Sequence, residues 1–219
     1  MQKIFLYFTL VIFYLGLSKT LSPTELGMDY VPNERGLSKI IPGQNVTVIL
    51  TDTHATGFVI KTYYQKYRLV YGFQGVEEMI VRTSRDFALK NRQNIGMSLF
   101  RRQDGAEESL PMPPGVTYVG HRGFGEWRPD RKGVMRWRFY RAYKNLPRYL
   151  GWGRWRPDVT FQEDYISFRE RKKPFYGRDQ EFGSDGKITK KNFPNFFKPE
   201  RQKKVDLKSL LVRYLKENF

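Results

Sequence analysis

Between Asn45 and Thr83, apolar and polar residues alternate with period two in four runs: NVTVIL, FVIKTYY, YRLVYGF and EEMIVRT. TDTHATG, a short QK break and a QG pair stand between them. Alternation sends successive side chains to opposite faces of a strand, so this stretch reads as a small curled antiparallel barrel or sandwich of four or five strands. Residues 23–43, with Pro23, Pro32, Gly36 and Pro42 and few periodic apolar positions, read as a lead-in.

RRQDGAEESLPMPPG, rich in Pro, Gly and charge, marks residues 91–115 as a boundary. A second patterned region follows. GVTYVG reads as a short strand. Met135, Trp137 and Phe139 alternate with Arg136, Arg138 and Tyr140, which predicts a hairpin closed between Pro129 and Gly133, one face apolar and the other basic. DVTFQEDYISFRERKKP switches to helical spacing: Phe161, Tyr165 and Phe168 share one face, Asp158 or Thr160 can cap it, and Pro174 ends it. Residues 177–204 have no period and read as an extended basic strap. Residues 205–219 return to helix spacing through Leu207, Leu210, Leu211, Tyr214 and Leu215, a helix able to touch a membrane surface.

The N-terminus opens with Lys3 and an apolar run from Ile4 to Leu17, 14 residues. That length suits the core of an export signal and falls short of the roughly 20 residues of a membrane-spanning helix. Gly16-Leu17-Ser18 offers small residues for cleavage, which makes residues 1–18 a signal peptide. The chain has no cysteine, which excludes disulfides, Cys-ligated metal, thiol nucleophiles and a lipid-modified Cys. A cleaved leader without cysteine points to a periplasmic or secreted protein of bacterial type.

Charge divides the chain unevenly. The formal net charge is +17, yet residues 23–90 carry 8 basic and 7 acidic side chains against 29 and 15 in residues 91–219. The basic excess speaks about partners rather than fold. It places affinity for polyanions in residues 114–219 and almost none in residues 38–90.

TGFVIKTYYQKYRLVYGFQGVEEMIVRTSRDFAL resembles the core of Tudor and related SH3-like barrels, in which a G-x-V strand leads to a Y-x-V-x-F strand, a turn ending in Gly, and a strand closing near S-x-D-x-x-x-L. Gly57, Val59, Tyr67, Val70, Phe73, Gly75 and Leu89 carry the pattern. The resemblance implies an SH3-like barrel over residues 38–90 and, by the family's aromatic cage, a cation-binding role for Tyr63, Tyr64, Tyr67 and Tyr71. The fold class expected for the whole chain is α+β and β-rich: this barrel, then an aromatic-basic α+β unit over residues 116–176, the strap and a C-terminal helix.

One phrase occurs twice, GFGEWRPD over residues 123–130 and GWGRWRPD over residues 151–158; only Glu126 against Arg154 differs in kind. Two readings of it stay open. Trp127 and Trp155 pack into one core with Arg128 and Arg156 over aromatic faces, or the same residues, joined by Arg136 and Arg138, form a stacking and charge platform for sugars, bases or anionic polymers.

Catalytic signals are thin. The only histidines are His54 and His121, too few for a His-rich metal site, and neither a G-x-S-x-G elbow nor a P-loop nor a dinucleotide fingerprint occurs, so no cofactor is expected. The acid pairs Glu77/Glu78, Glu107/Glu108 and Glu163/Asp164 suit solvated faces. A cell-wall hydrolase would draw on His121, Glu126 and Asp130. The sequence therefore predicts an exported, non-enzymatic binding or scaffold protein for an anionic envelope polymer or an acidic protein, with such a hydrolase and a nucleic-acid binder as the alternatives.

Overall fold

The computed structural model describes residues 2–20, 27–57, 61–72 and 75–198. It is a mixed α+β fold with helix and strand in comparable shares, not the β-rich one that the alternation suggests, and six strands form one curled half-barrel sheet. β2 (Val46–Thr56), β3 (Thr62–Val70) and β4 (Val76–Thr83) run as an antiparallel meander; β5 (Ser98–Gln103) returns to the free side of β2 and β6 (Ala106–Glu108) follows it. β1 (Tyr30–Val31) adds a parallel edge beside β4, giving the order β1-β4-β3-β2-β5-β6.

Two runs of polar letters prove to be strand. TDTHATG, read as a turn, continues β2, with Thr53 and His54 opposite Gln65 and Tyr64. The register shifts between Leu50 and Asp52, and this bulge breaks the alternation that would have extended the strand in the sequence. The QK break lies in the middle of β3, so the TYY that ends the first run and the YRLV that opens the second share one strand. Gln65 is buried and accepts the Tyr67 hydroxyl at 2.6 Å, and Lys66 reaches Glu78 on β4 at 2.5 Å.

The described lead-in residues, from Gly27, are structured as well. They supply β1 and the helix α2 (Glu34–Ile40), whose cap, Asn33, accepts the Gly36 amide at 3.0 Å. The helix α3 (Arg85–Lys90) starts at Ser84, which accepts the Phe87 amide at 3.1 Å.

Residues 91–115, read as a boundary, carry β5 and β6 instead. Part of the charge that suggested a linker is internal: Arg101 is only 2% exposed, and its guanidinium meets Ser98 Oγ at 2.7 Å, the Leu110 carbonyl at 3.0 Å and Glu108 at 3.1 Å. The sheet is also covered on both sides. Val48 and Leu50 pack with Val31, Leu37, Tyr67 and Phe87, whereas Ile49 packs with Met97, Met112, Trp137 and Trp152 from the second half of the chain. A strand buried on both faces loses the clean in-and-out alternation, as β2 does over its first seven residues.

In the second half, the GVTYVG segment is a 3-10 turn over Val116–Tyr118 rather than a strand. Gly115 and Gly120 bracket it with φ of 77° and 80°, values that an extended strand cannot contain. β7 (Gly125–Pro129) and β8 (Met135–Phe139) form the expected hairpin. After the short helix α4 (Leu146–Tyr149), α5 (Val159–Glu170) is capped by Asp158, not Thr160, through the Phe161 amide at 2.9 Å, and buries Phe161 and Tyr165.

The described part of the strap, through Lys198, is not one extended segment. It contains α6 (Lys187–Asn192) and buries Phe182, Thr189 and Phe193, because its irregularly spaced aromatics each find a separate niche in the core. The expected C-terminal helix, Val59 and Phe73 lie outside the described residues. At the other end, α1 (Gln2–Thr20) leaves Ile4, Phe5 and Phe13 at least 66% exposed. Among the described residues no helix is long and apolar enough to cross a membrane.

Candidate functional site

The two copies of the repeated phrase lie on either side of β8. The first is β7, paired so that Trp127 faces Trp137 and Arg128 faces Arg136. The second is a turn, and it docks on the opposite edge of β8: Trp137 N donates to the Pro157 carbonyl at 2.9 Å, and Arg136 bridges Asp158. Identical letters therefore serve different backbones. Gly151 and Gly153 sit at φ of 73° and 57°, whereas Gly125 lies in a strand where a Cβ would collide with the Arg138 carbonyl.

Both copies end on an aspartate that works in the same way. Asp130 Oδ1 accepts the Lys132 amide at 2.8 Å and the Val134 amide at 3.1 Å, which closes the hairpin; Asp158 Oδ1 accepts the Phe161 amide, which starts α5. The second oxygen of each faces Arg136, at 3.5 Å from Asp130 and 3.3 Å from Asp158. Turn amides first, and the Arg136 charge with them, hold the Asp130 carboxyl below its usual range.

An aromatic ladder runs through the same region. Trp127 meets Trp137 at 5.2 Å, Phe139 meets Trp152 at 5.4 Å, Trp152 meets Trp155 at 5.4 Å, and Trp155 meets Phe161 at 5.0 Å. Trp137 and Trp152 are the fully buried members, each 1% exposed, and Trp152 Nε1 donates to the Pro114 carbonyl at 2.8 Å. Trp127 and Trp155 are half-buried. Arg128 pairs with Glu126, and Arg156 donates to the carbonyls of Gly153 and Trp155; among the described residues the rings that carry a guanidinium are Phe193, under Arg68, and Phe100, under Arg102.

Beside this ladder opens a cleft of about 750 Å³, with Phe139, Pro147 and Trp155 in its wall. Its cations are Arg136, Arg138, Lys144, Arg154 and Arg156, and its one carboxylate is Asp130, already paired with Arg136. In the β7–β8 register Arg138 stands opposite Glu126, but Arg128 takes that carboxylate. Among the described residues, Arg138, Lys144 and Arg154 form no ion pair. Desolvation, and then the Arg138 charge, push the Arg156 guanidinium below its ordinary value. Like charges gathered in a half-buried cleft create a positive potential that an anion relieves.

Of the expected site residues, Arg136, Arg138, Trp155 and Arg156 therefore share one cleft; Trp127 and Arg128 sit on the far strand and do not line it. The tyrosines do not assemble. Tyr67 is 0% exposed, in the sheet core, where burial raises its hydroxyl far above the usual phenol value; Tyr64 points to the other face and stacks on His54 at 5.2 Å. Tyr71 packs against the core, and Tyr63 alone lines a cavity.

His121, Glu126 and Asp130 do not converge either. His121 Nδ1 accepts the Gly123 amide at 3.1 Å, and the two acids are held by Arg128 and Arg136. The acid pairs split in the same manner: Glu78 goes to Lys66, Glu107 to Arg102, Glu108 to Arg101 and Asp164 to Arg178. Among the described residues no group of three or more His, Asp or Glu could hold a metal ion.

Sequence reasoning missed Lys144 and Arg154 as members of the cleft. Arg154 left a signal, the single position at which the copies differ in charge. Lys144 left none, lying in an aperiodic turn. No protein-family model, curated protein or solved structure matches this chain.

Proposed function

We propose that the chain is an exported, non-enzymatic binding or scaffold protein whose basic aromatic cleft holds an anionic polymer of the cell envelope. The observation that carries this reading is the set Arg138, Lys144 and Arg154, three cations on one cleft with no carboxylate partner among the described residues. Paired arginines elsewhere in the fold serve its architecture; these three do not. Trp155 and Phe139 add flat apolar surface beside them, which suits a polymer of rings joined by charged groups. The commitment of Glu126 and Asp130 to arginines disfavours the hydrolase alternative, since a general acid needs a carboxyl free to exchange its proton.

Export follows from the apolar run Ile4–Leu17 and the small residues after it. The packing of α1 agrees with a leader, since its side chains from Ile4 to Tyr14 are exposed rather than docked on the body. The finer reading of the half-barrel as SH3-like draws support from the β2–β3–β4 meander, the short helix α3, and the return of β5 to β2; β1 and β6 extend it at both edges.

The test is retention of the mature chain on a polyuronate or polyphosphate matrix. Binding at low salt with release near 0.5 M, where screening shortens to a few ångströms, supports the reading. Failure to bind at low salt, or shortening of the soluble polymer on incubation, overturns it.

A further inference from the structure

Residues 27–90 have almost balanced charge, but balance in the sequence does not mean pairing in space. Glu34 is taken by Lys90 at 2.5 Å, and Glu78 by Lys66 at 2.5 Å with Arg68 beyond it. Among the described residues Arg35, Lys39, Lys61, Arg82 and Arg85 form no ion pair, and the fold brings three of the five, Lys61, Arg82 and Arg85, to one place. Arg82 lies on β4 opposite Tyr30 of the parallel strand β1, Lys61 immediately precedes β3, and Arg85 opens α3. Together with Tyr30 and Tyr63 they line a cavity of about 740 Å³ at the end of the sheet away from β5 and β6.

Two hydroxyls of that cavity are already used. Thr83 Oγ1 donates to the Val31 carbonyl at 2.8 Å; Ser84 Oγ donates to the Pro32 carbonyl at 2.8 Å and accepts the Phe87 amide. Among the described residues no carboxylate lines the cavity: Asp29 and Asp86 are chain neighbours of Tyr30 and Arg85 but are not in its wall. Arg82 Nε is buried without a hydrogen-bond partner, and such a donor in a folded chain marks either a cost or an intended ligand.

We propose that this cavity is a second anion site, independent of the cleft beside Trp155, and that its ligand carries phosphate groups. Three unpaired cations exceed what one carboxylate can neutralise. A phosphoryl group brings about two negative charges and three acceptor oxygens, and guanidinium groups meet those oxygens in pairs. Tyr30, 57% exposed, and Tyr63 form a flat rim for whatever group bears the phosphates. With one site on the sheet and one beside the hairpin, a single phosphate-bearing polymer would engage the chain at two points, and binding at one site would raise the effective concentration at the other.

The probe is inorganic tripolyphosphate, titrated calorimetrically into the full mature chain at low salt. Two equivalents are expected for the wild type. Lys61→Ser with Arg85→Ser, both exposed positions, should remove one equivalent, and Arg138→Ser with Arg154→Ser should remove the other. Lys172→Ser with Lys173→Ser lowers the net charge equally and should leave both. The proposal is overturned if the Lys61/Arg85 variant binds as the wild type does, if the cleft variant loses all binding, or if the Lys172/Lys173 variant loses as much as the Lys61/Arg85 variant. Two equivalents retained by the cleft variant, with one lost from the Lys61/Arg85 variant, would instead sink the cleft reading and leave this site standing.

Discussion

Asp130 and Asp158, 28 positions apart and each the last residue of a copy of the same phrase, hold one guanidinium between them, that of Arg136. Each spends one oxygen on backbone amides and the other on the arginine, so Arg136 ties the hairpin turn to the start of α5. The phrase is written twice because β8 has two edges to secure. Replacing Arg136 by Gln should cost about 1–2 kcal/mol in a denaturant titration, given half-exposed pairs and a lost bond to the Arg156 carbonyl. A double-mutant cycle of Arg136→Gln with Asp158→Asn should show coupling; strictly additive effects would contradict the tie.

The same carboxylate sets a pH dependence. The Asp130 carboxyl is held below its usual range in the fold, so its contribution to stability is complete above the unfolded value of about 4 and is lost as pH falls through the folded value. Asp130→Asn should flatten that part of the stability profile and leave the neutral region less stable than wild type. An unchanged acid limb would show that the turn amides do not favour the ionised form.

Four tryptophans divide by burial. Trp152→Ala and Trp137→Ala empty fully enclosed sites and should each cost about 3–5 kcal/mol by chemical denaturation, whereas Trp127→Ala, at the edge of the hairpin, should cost roughly half as much. Equal losses at Trp127 and Trp152 would mean that the ladder, rather than burial, sets the energy.

Arg101 is buried with Glu108 as its counter-charge, and Glu108 also pairs with Arg169. Glu108→Gln leaves the Arg101 charge uncompensated and should destabilise the chain by on the order of 3 kcal/mol, while Arg101→Met with Glu108→Leu should recover most of that loss. A double variant no better than Glu108→Gln would place the value of Arg101 in its bonds to Ser98 and Leu110 instead.

The sequence revealed these elements unevenly, for physical reasons. β8 and α5 were legible because Trp137 lies between two outward arginines, and because Phe161, Tyr165 and Phe168 repeat on one face behind an aspartate cap. β2 and β3 were only half legible, since a bulge after Leu50 and a buried polar pair, Gln65 with Tyr67, interrupt the alternation. Arg101 looked like linker charge because nothing local announces a buried ion pair. In the cleft, Arg136, Arg138 and Arg156 stood out beside the repeated phrase, but Lys144 came from a turn whose position only tertiary packing decides. The tyrosine cage failed because Tyr63, Tyr67 and Tyr71 are spaced four residues apart, about 13 Å per step along an extended strand, with Tyr67 enclosed in the core and Tyr64 on the opposite face.

The export reading makes its own prediction. N-terminal sequencing of the chain recovered from the producing cell should begin between Lys19 and Pro23. Intact Met1 or Gln2 in a membrane fraction would show an anchor.

The central claim is that unpaired cations of the cleft bind a polyanion, and the most direct measurement is the salt dependence of affinity for a long inorganic polyphosphate with and without Arg138 and Arg154. Both side chains are exposed and form no ion pair among the described residues, so Arg138→Ser with Arg154→Ser should leave the unfolding free energy within about 0.5 kcal/mol of wild type. Affinity at low salt should fall at least about tenfold, and the slope of log affinity against log salt should drop by about two, one for each contact removed. An unchanged affinity and slope in a folded variant would contradict the account.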